Sequence, residues 1–587
     1  LNGPDKYELI AELGRRRGFF WPSFEIYGGV SGFLDLGPLG ALLKRRIEQK
    51  WIDIFVRRHS LALIQTPVIT PGKVFEASGH LAHFKDPMVT CTKCQRRFRA
   101  DHAIRDSYLG AEKLPLESYT LDQLDQLIRD KLIMCPECGA ELSKPEYFST
   151  MFQTAIGPYT EATAYARPEA AQGMFVDFKR IFETTRERLP MGIAQIGTVL
   201  RNEISPRQGP IRLREFTIME FEFFFDPEAA ECNLLPQVEK DQLPLVTIPM
   251  REEGKEESVM VSVKDALKSG QIVTEWGAYF MAISKRYLTS LGIPAEEQRF
   301  HEKLKDERAH YSRQTFDHEV LLDRWGWVEL AGHAYRTDYD LSAHTAGSGV
   351  DMSIFKPYAE PTLRKRKFVY PIGSKIGPAF KDKAPAVTRA LSEADADQIE
   401  RDAMADGTIE VGGFRLSRDF FEIREDTVKE TGRKFIPHVI EPSYGAERAV
   451  YATLEYAYSR REDRVVLRLP FDLAPVEACV FPLMAKDGLD RVAIGIHQKL
   501  LDAGFECAYD DAGTVGRRYA RADEIGVPVS ITVDYESVRD SSVTFRDRDS
   551  WAQVRVAGEA VVPSLRDYLE GKIAFGKLGP AVSPSGD

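Results

Sequence analysis

The sequence predicts an α+β protein: a β-rich core flanked by helices, a cysteine-bearing insertion, and a separate C-terminal α/β domain. Three observations carry this. Residues 149–345 hold long apolar β-like segments, notably MGIAQIGTVL and LREFTIMEFEFFF. From Leu469 onward, strand candidates (ACVFPLM, FECAYD, VPVSITVD, SVTFRD, AQVRVA) alternate with helical stretches around residues 490–503 and 518–525. Between residues 80 and 148 stand two CxxC pairs. The 587 residues, 43% apolar, suffice for several cores without disulfide staples. A net charge of −11 excludes a globally basic nucleic-acid coat but leaves room for local basic patches.

Taken in order, residues 1–79 begin with a polar helix near positions 5–17 and a glycine-rich stretch, EIYGGVSGFLDLGPLG. A long amphipathic helix follows over about 39–59. Its Leu39, Leu42, Leu43, Ile47, Trp51, Ile54 and Phe55 form a broad apolar stripe. LALIQTPVIT then reads as a short strand. Residues 80–148 are the insertion, with a helix at 121–132, and residues 149–345 are the main core. Residues 346–416 read as a second insertion, with a strand in KRKFVYPIG and helix in KAPAVTRALSEADADQIERDAMADG. Residues 417–470 return to the core, IPHVIEPSYGAERAVYATLEYAY giving strand, turn and helix, and 471–587 form the last domain. No apolar run approaches the ~20 residues needed to span a bilayer. The opening segment has no apolar signal core, so a cytoplasmic protein without membrane attachment is expected.

Cys91, Cys94, Cys135 and Cys138 are matched pairs whose two-residue spacers bring thiolates of one turn toward one ion. They predict a structural tetrahedral Zn2+ site with no open catalytic position. His80, His83 and His102 lie nearby as surface or substrate-facing residues or substitute ligands. Cys232, Cys479 and Cys507 read as small buried side chains.

Neither GxxxxGK[ST] nor a GxGxxG following a strand occurs, so phosphate binding must fall to side chains. The densest candidate is RNEISPRQGPIRLREFTIMEFEFFF. Arg201 and Glu203 end one strand, Pro206, Gln208 and Gly209 make a loop, and Arg212, Arg214 and Phe216 share one face of the return strand. Guanidinium groups suit phosphate oxygens and a ring suits a purine. A charged hairpin on a sheet face is the plainer reading of the same residues.

The chain resembles a class II aminoacyl-tRNA synthetase, specifically the homodimeric glycyl-tRNA synthetase family. The resemblance rests on SGFLDLGPLGALLKRRIEQKW, DPMVTCTKCQRRFRADH, RPEAAQGMFVDFK, GIAQIGTVLRNEISPRQGPIRLREFT, GWVELAGHAYRTDYDL, IPHVIEPSYGAERAVYATLEYAY and GRRYARADEIGVPVSITVD, in order along nearly the whole chain. It implies a catalytic core built on an antiparallel sheet flanked by helices, a zinc-ribbon-like insertion and an anticodon-binding C-terminal domain. It also implies ATP and Mg2+ as cofactors, glycine and tRNA(Gly) as partners, and a homodimer through the first-motif helix. Residue by residue it implies Arg201 at the α-phosphate and substrate carboxylate, Glu203 and Arg212 holding ATP, Phe216 on adenine and Arg448 at the γ-phosphate. It further implies Glu169, Glu329 and Glu441 around the glycine ammonium, Ser443 against the α-carbon, and Arg336 or Arg201 at the carboxylate. Arg517, Arg518 and Arg521 would meet tRNA phosphates or anticodon bases, and Arg364, Lys365, Arg366 and Lys367 the acceptor end. Both clusters have a plainer reading as solvated charge. Departures from the family pattern are Ala170, His333, Tyr335 and Glu447. Two alternatives differ in class: a synthetase for proline, threonine or serine, and a nucleic-acid-binding paralogue without catalysis. The acidic cage argues against the first and the paired ATP-site residues against the second.

Overall fold

The computed structural model describes residues 4–582 apart from 109, 111–113, 115, 117–118, 159–162 and 205–208. Pro206 and Gln208 of the expected loop therefore lie outside the described residues. The chain divides into two compact units, 1–352 with 437–587, and Ser353–Ile436.

In the larger unit the helix α1 (Lys6–Arg17) starts where Asp5 caps the Glu8 amide and ends at Gly18, whose φ of 83° suits a residue without Cβ. Helix α2 (Pro38–Trp51) continues as a π-helical segment over Ile52–Arg57. A nine-stranded sheet is built from β1 (Ala62–Leu63), β2 (Met191–Leu200), β3 (Glu215–Phe225), β4 (Gln242–Val246), β5 (Val259–Ser262), β6 (Gln298–Glu302), β7 (Gln314–Leu322), β8 (Gly326–Thr337) and β9 (His438–Gly445). Its order is β5-β4-β6-β7-β8-β9-β3-β2-β1. Pairing is antiparallel except for β1 with β2 and β4 with β6.

Alternation gives this sheet two different faces. Met219, Phe221 and Phe223 of β3 and Tyr444 of β9 face a core covered by α2 and by α4 (Glu275–Ser290). Trp51 and Phe55 pack on Phe221, Phe55 on Tyr444, and Trp276 on Phe223. The buried residues of the predicted stripe, Leu43, Ile47, Trp51 and Phe55, are thus spent inside this chain. The opposite face of β3, β8 and β9 is lined by α3 (Ala171–Thr184), α5 (Tyr339–Ser348) and the start of α6 (Ala446–Ala457). It holds the candidate site.

The C-terminal part of this unit is a five-stranded mixed sheet of β10 (Ala478–Pro482), β11 (Cys507–Tyr509), β12 (Val529–Val533), β13 (Ser542–Asp547) and β14 (Gln553–Ala557), in the order β11-β10-β12-β13-β14. Helices α7 (Leu489–Asp502) and α8 (Val515–Glu524) complete it, as the α/β alternation predicts.

The smaller unit reaches beyond the expected boundary of residue 416. Its reason is a long hairpin: Ile354–Pro371 pairs antiparallel with Phe421–Phe435, so the latter strand belongs to the insertion. The helical pattern splits in two, Ala384–Glu393 and Ala396–Asp406, because Asp395 turns to cap the second helix. The basic run is paired within the unit: Arg364 and Arg366 with Glu430, Lys365 with Glu425, and Lys367 with Asp397 and Glu400.

Candidate active site

One cleft gathers residues from β3, β7, β8, β9, α6 and the segments flanking β2. Its two ends differ in charge and burial.

At the open end Arg201 follows β2. Its Nε donates to the Pro168 carbonyl (3.0 Å), and its guanidinium lies 5.5 Å from the Phe216 ring centre and 6.0 Å from that of Phe84. Arg212 donates through Nε (2.9 Å) and Nη2 (2.6 Å) to Glu203 Oε2. The expected one-sided trio of Arg212, Arg214 and Phe216 does not form. A 3-10 turn over Gly209–Ile211 delays the strand to Glu215, so period-two alternation does not reach back to Arg214. Arg214 instead donates to the carbonyls of Glu203 and Ser31. Arg448 stands in the first turn of α6. It donates to the Ile211 carbonyl (2.8 Å) and the Glu329 carbonyl (2.6 Å), with the Glu329 carboxylate 3.4 Å away. Glu329 keeps 44% of its side chain exposed. Burial opposes its charge, but Arg448 and Lys303 outweigh that and hold its carboxyl below the usual range.

At the closed end, by contrast, carboxylates exceed cations. Glu169, Glu220, Glu222, Glu441 and Asp340 are all buried. Arg336, with no exposed surface, serves three of them: Asp340 at 2.7 and 2.8 Å, Glu441 at 2.9 Å and Glu169 at 3.5 Å. Its guanidinium also lies 3.5 Å over the Tyr311 ring. Arg336 thus stands behind the cleft, ion-paired with these carboxylates though its Nη1 makes no hydrogen bond, and of the two arginines expected at a substrate carboxylate only Arg201 lines the cleft. Glu169 is gripped a second time by His80, whose Nε2 is 3.1 Å away and whose Nδ1 meets Ser78 Oγ at 2.7 Å. Burial opposes ionisation of Glu169, yet His80 and Arg336 hold its carboxyl well below the usual range. Glu220 and Glu441 behave oppositely. Burial and the neighbouring carboxylates push Glu220 up to about 7 and Glu441 up to about 8, Arg336 only partly offsetting the second.

Glu441 and Ser443 share the cleft face of β9, as their two-residue spacing predicts. Ser443 Oγ donates to Glu220 Oε2 at 2.9 Å. Glu220 was not among the expected site residues. The signal was present: extending the parity of Phe216 along the strand reaches Glu220 and Glu222, two acids in an otherwise apolar run. The three expected glutamates also divide. Glu169 and Glu441 meet at Arg336, whereas Glu329 sits with Arg448, its carboxylate leaning over Gly332.

Of the departures from the family pattern, His333 and Glu447 border the cleft while Ala170 and Tyr335 do not. The His333 ring, buried against Phe300 and Tyr444, is on the core side of β8, and Tyr335 bonds His438 at 2.6 Å. Glu447 accepts from the Thr217 amide (2.7 Å) and pairs with Lys44 (2.8 Å), tying α6, β3 and α2 together. Ala170 is buried ahead of α3, its carbonyl accepting from Gln195.

The four cysteines converge. Their sulfurs lie within 4.8 Å of one another, with Cys91–Cys138 at 3.4 Å and Cys94–Cys135 at 3.7 Å. A tetrahedron with arms of about 2.3 Å has edges of about 3.8 Å, so the donor set fits one Zn2+. Each knuckle closes with an amide returning to its first cysteine: Gln95 to the Cys91 carbonyl and Gly139 to the Cys135 carbonyl. His80 is engaged with Glu169 and is no part of the cluster.

In the C-terminal domain the expected basic cluster is mostly structural. Arg518 is buried, donating to the carbonyls of Pro482, Asp511 and Gly513, and Arg521 pairs with Asp510. Arg517 alone of the three is exposed.

Residues 477–568 match the family described as anticodon binding domain. The chain is 47% identical over 585 residues to the glycine–tRNA ligase of Aeropyrum pernix, covering 99% of this chain and all of that protein. The chain belongs to the glycine–tRNA ligase family. The Thermococcus gammatolerans glycine–tRNA ligase is 46% identical over 97% of this chain and 99% of its own length. That of Methanothrix thermoacetophila is 42% identical over 98% of this chain and its full length. Among solved structures, the prolyl-tRNA synthetase of Cryptosporidium parvum with halofuginone and AMPPNP aligns over 96% of this chain and 77% of its own. Its TM-score is 0.50 at 13% identity, a likeness of fold. The glycine–tRNA ligase family and the class II fold agree with the open antiparallel sheet described above.

Proposed function

We propose that this protein joins glycine to tRNA(Gly) in two steps. A glycine carboxylate oxygen attacks the α-phosphorus of ATP; the new bond makes glycyl-adenylate while the α–β phosphoanhydride bond breaks and pyrophosphate leaves. The 3′-terminal adenosine hydroxyl then attacks the glycyl carbonyl and AMP leaves. Neither step needs a protein nucleophile; both need positioning and charge neutralisation.

The observation that carries this reading is the closed end of the cleft, where buried carboxylates outnumber the cations that serve them. Such a site is completed by a small cation, and the glycine ammonium is one. Glu441, Glu169 and Glu220 receive it, and Ser443, fixed by its bond to Glu220, stands against the α-carbon where alanine would carry a methyl. With Arg336 engaged behind the pocket, Arg201 meets the glycine carboxylate and the α-phosphate. Glu203 and Arg212 hold ATP, Phe216 stacks on adenine, and Arg448 at the head of α6 takes the γ-phosphate. Mg2+ would neutralise polyphosphate charge, and Glu329, half exposed at the open end, offers it a carboxylate. Cys91, Cys94, Cys135 and Cys138 hold a structural Zn2+.

The protein works as a cytoplasmic homodimer in this reading. Among the described residues no helix is long and apolar enough to cross a membrane. Beside α1, where Arg15 pairs with Glu25, the loop carrying Phe24, Ile26 and Tyr27 exposes 52%, 88% and 86% of these side chains, a surface suited to a second copy. Sedimentation at micromolar concentration showing only the 66.3 kDa chain would remove the dimer. Amino-acid-dependent ATP–pyrophosphate exchange across all twenty amino acids tests the reaction, glycine alone being expected to support it.

A further inference from the structure

Glu222 is a buried acid that the reaction above leaves unused. It follows Glu220 by two residues on β3, so both point to the cleft side of the sheet. Its side chain has no exposed surface and neither carboxylate oxygen has a hydrogen-bond partner. A bare anion in that position is heavily penalised. The β3–β9 register sets Glu220 opposite Ser443 and Phe223 opposite Ile440, which places Glu222 against Glu441. Like charges so opposed repel.

Among the described residues, the facing groups offer Glu222 no cation that is not already paired with another carboxylate. From β8 comes Arg336, already serving Asp340, Glu441 and Glu169. From α5 come Asp340 and His344, the latter bonded to Gln172 at the start of α3. Tyr311 approaches from the segment before β7, its ring on Arg336. Glu220 shares the strand, and its Oε2 is taken by Ser443.

We propose that Glu222 keeps its proton and acts as a neutral positioning residue for Glu441, so that this carboxyl pair carries one negative charge and Glu441 is the anion shown to the substrate ammonium. Two adjacent carboxyls sharing one proton is the stable state of such a pair. Burial and Glu441 push Glu222 well above the usual carboxylate range, whereas Arg336 at 2.9 Å favours the anion on Glu441. The inference rests on the glycine reading of the site.

Glutamine reproduces the shape and donor of a protonated glutamate, so Glu222→Gln separates the two states. Pyrophosphate exchange on Glu222→Gln should keep the glycine KM within about threefold of wild type, whereas Glu441→Gln should raise it about a hundredfold. An equal rise in both variants overturns the proposal, since Glu222 would then be an anionic ligand. Infrared difference spectra of wild type against Glu222→Gln, without substrate, should show the carbonyl stretch of a protonated carboxylic acid. Its absence overturns the proposal too. Should Glu222→Gln not fold, the wild-type spectrum at about pH 9, above the range of Glu220 and Glu441, decides by the same band. If wild type fails to prefer glycine, the functional reading falls while the infrared result still stands or falls by itself.

Discussion

The two ends of the cleft solve opposite problems with the same residue types. At the open end arginines are held by backbone carbonyls and by the partly exposed Glu203 and Glu329, so each has a pre-set direction and water nearby. At the closed end there are five buried carboxylates, of which three pair with Arg336 and one, Glu169, also with His80. Charge is cheap where water reaches and expensive where it does not. The open end should therefore tolerate loss of one charge with graded effect, and the closed end should not.

The most severe test of that contrast is Arg336→Met. It removes the guanidinium from three buried carboxylates, and unfolding free energy should fall by about 3–5 kcal/mol. Urea denaturation reads it; a wild-type midpoint would mean that the closed end is not balanced by Arg336. Next comes Glu441→Gln, expected to cost glycine binding about 3 kcal/mol while the ATP KM moves less than twofold. Equal damage to both substrates would erase the distinction between the ends. Arg212→Ala and Arg448→Ala should each weaken use of ATP by about 10–100-fold, whichever amino acid is present, and less so at high salt.

A pH series sharpens the comparison. Glu220 and Glu441 are raised to about 7 and about 8, so at lower pH they hold protons and leave the ammonium only the low-lying carboxylate of Glu169. The kcat/KM for glycine should rise about tenfold as pH climbs through about 7 to 8, with the ATP KM flat. The smallest effect belongs to Ser443→Ala. It opens room beside the α-carbon and strips Glu220 of its donor, so activation of alanine relative to glycine should improve by at most about tenfold. Exchange assays with both amino acids measure the ratio.

The elements most legible in the sequence were those whose pattern is local. β2 and β3 followed from their apolar alternation, and the cysteine cluster from its spacing. What escaped was decided by contacts distant in the chain. Nothing near Arg336 announces that Glu169 and Glu441, over a hundred residues away on either side, absorb its charge. Arg518 reads as part of a basic patch until the loop at 511–513 folds its carbonyls over it. The insertion boundary was missed because the Phe421–Phe435 strand is defined by its partner rather than by its own composition.

The cysteine module adds a consequence in terms of chain entropy. Joining Cys91 to Cys135 closes a loop of about 45 residues, and cross-linking a loop of that length removes about 4 kcal/mol of disorder from the unfolded chain. The module's own core is small, centred on Val89, Ile104, Leu124 and Ile128. Its stems reach directly into the catalytic end: Phe84 lies beneath Arg201, and the Thr150 carbonyl accepts from the Asn202 amide. A segment so dependent on one closure is the first to open locally. In hydrogen exchange after chelation, amides of residues 85–149 should lose protection while β2 and β3 keep theirs, and the loosening should reach the backbone at Asn202, one residue past Arg201.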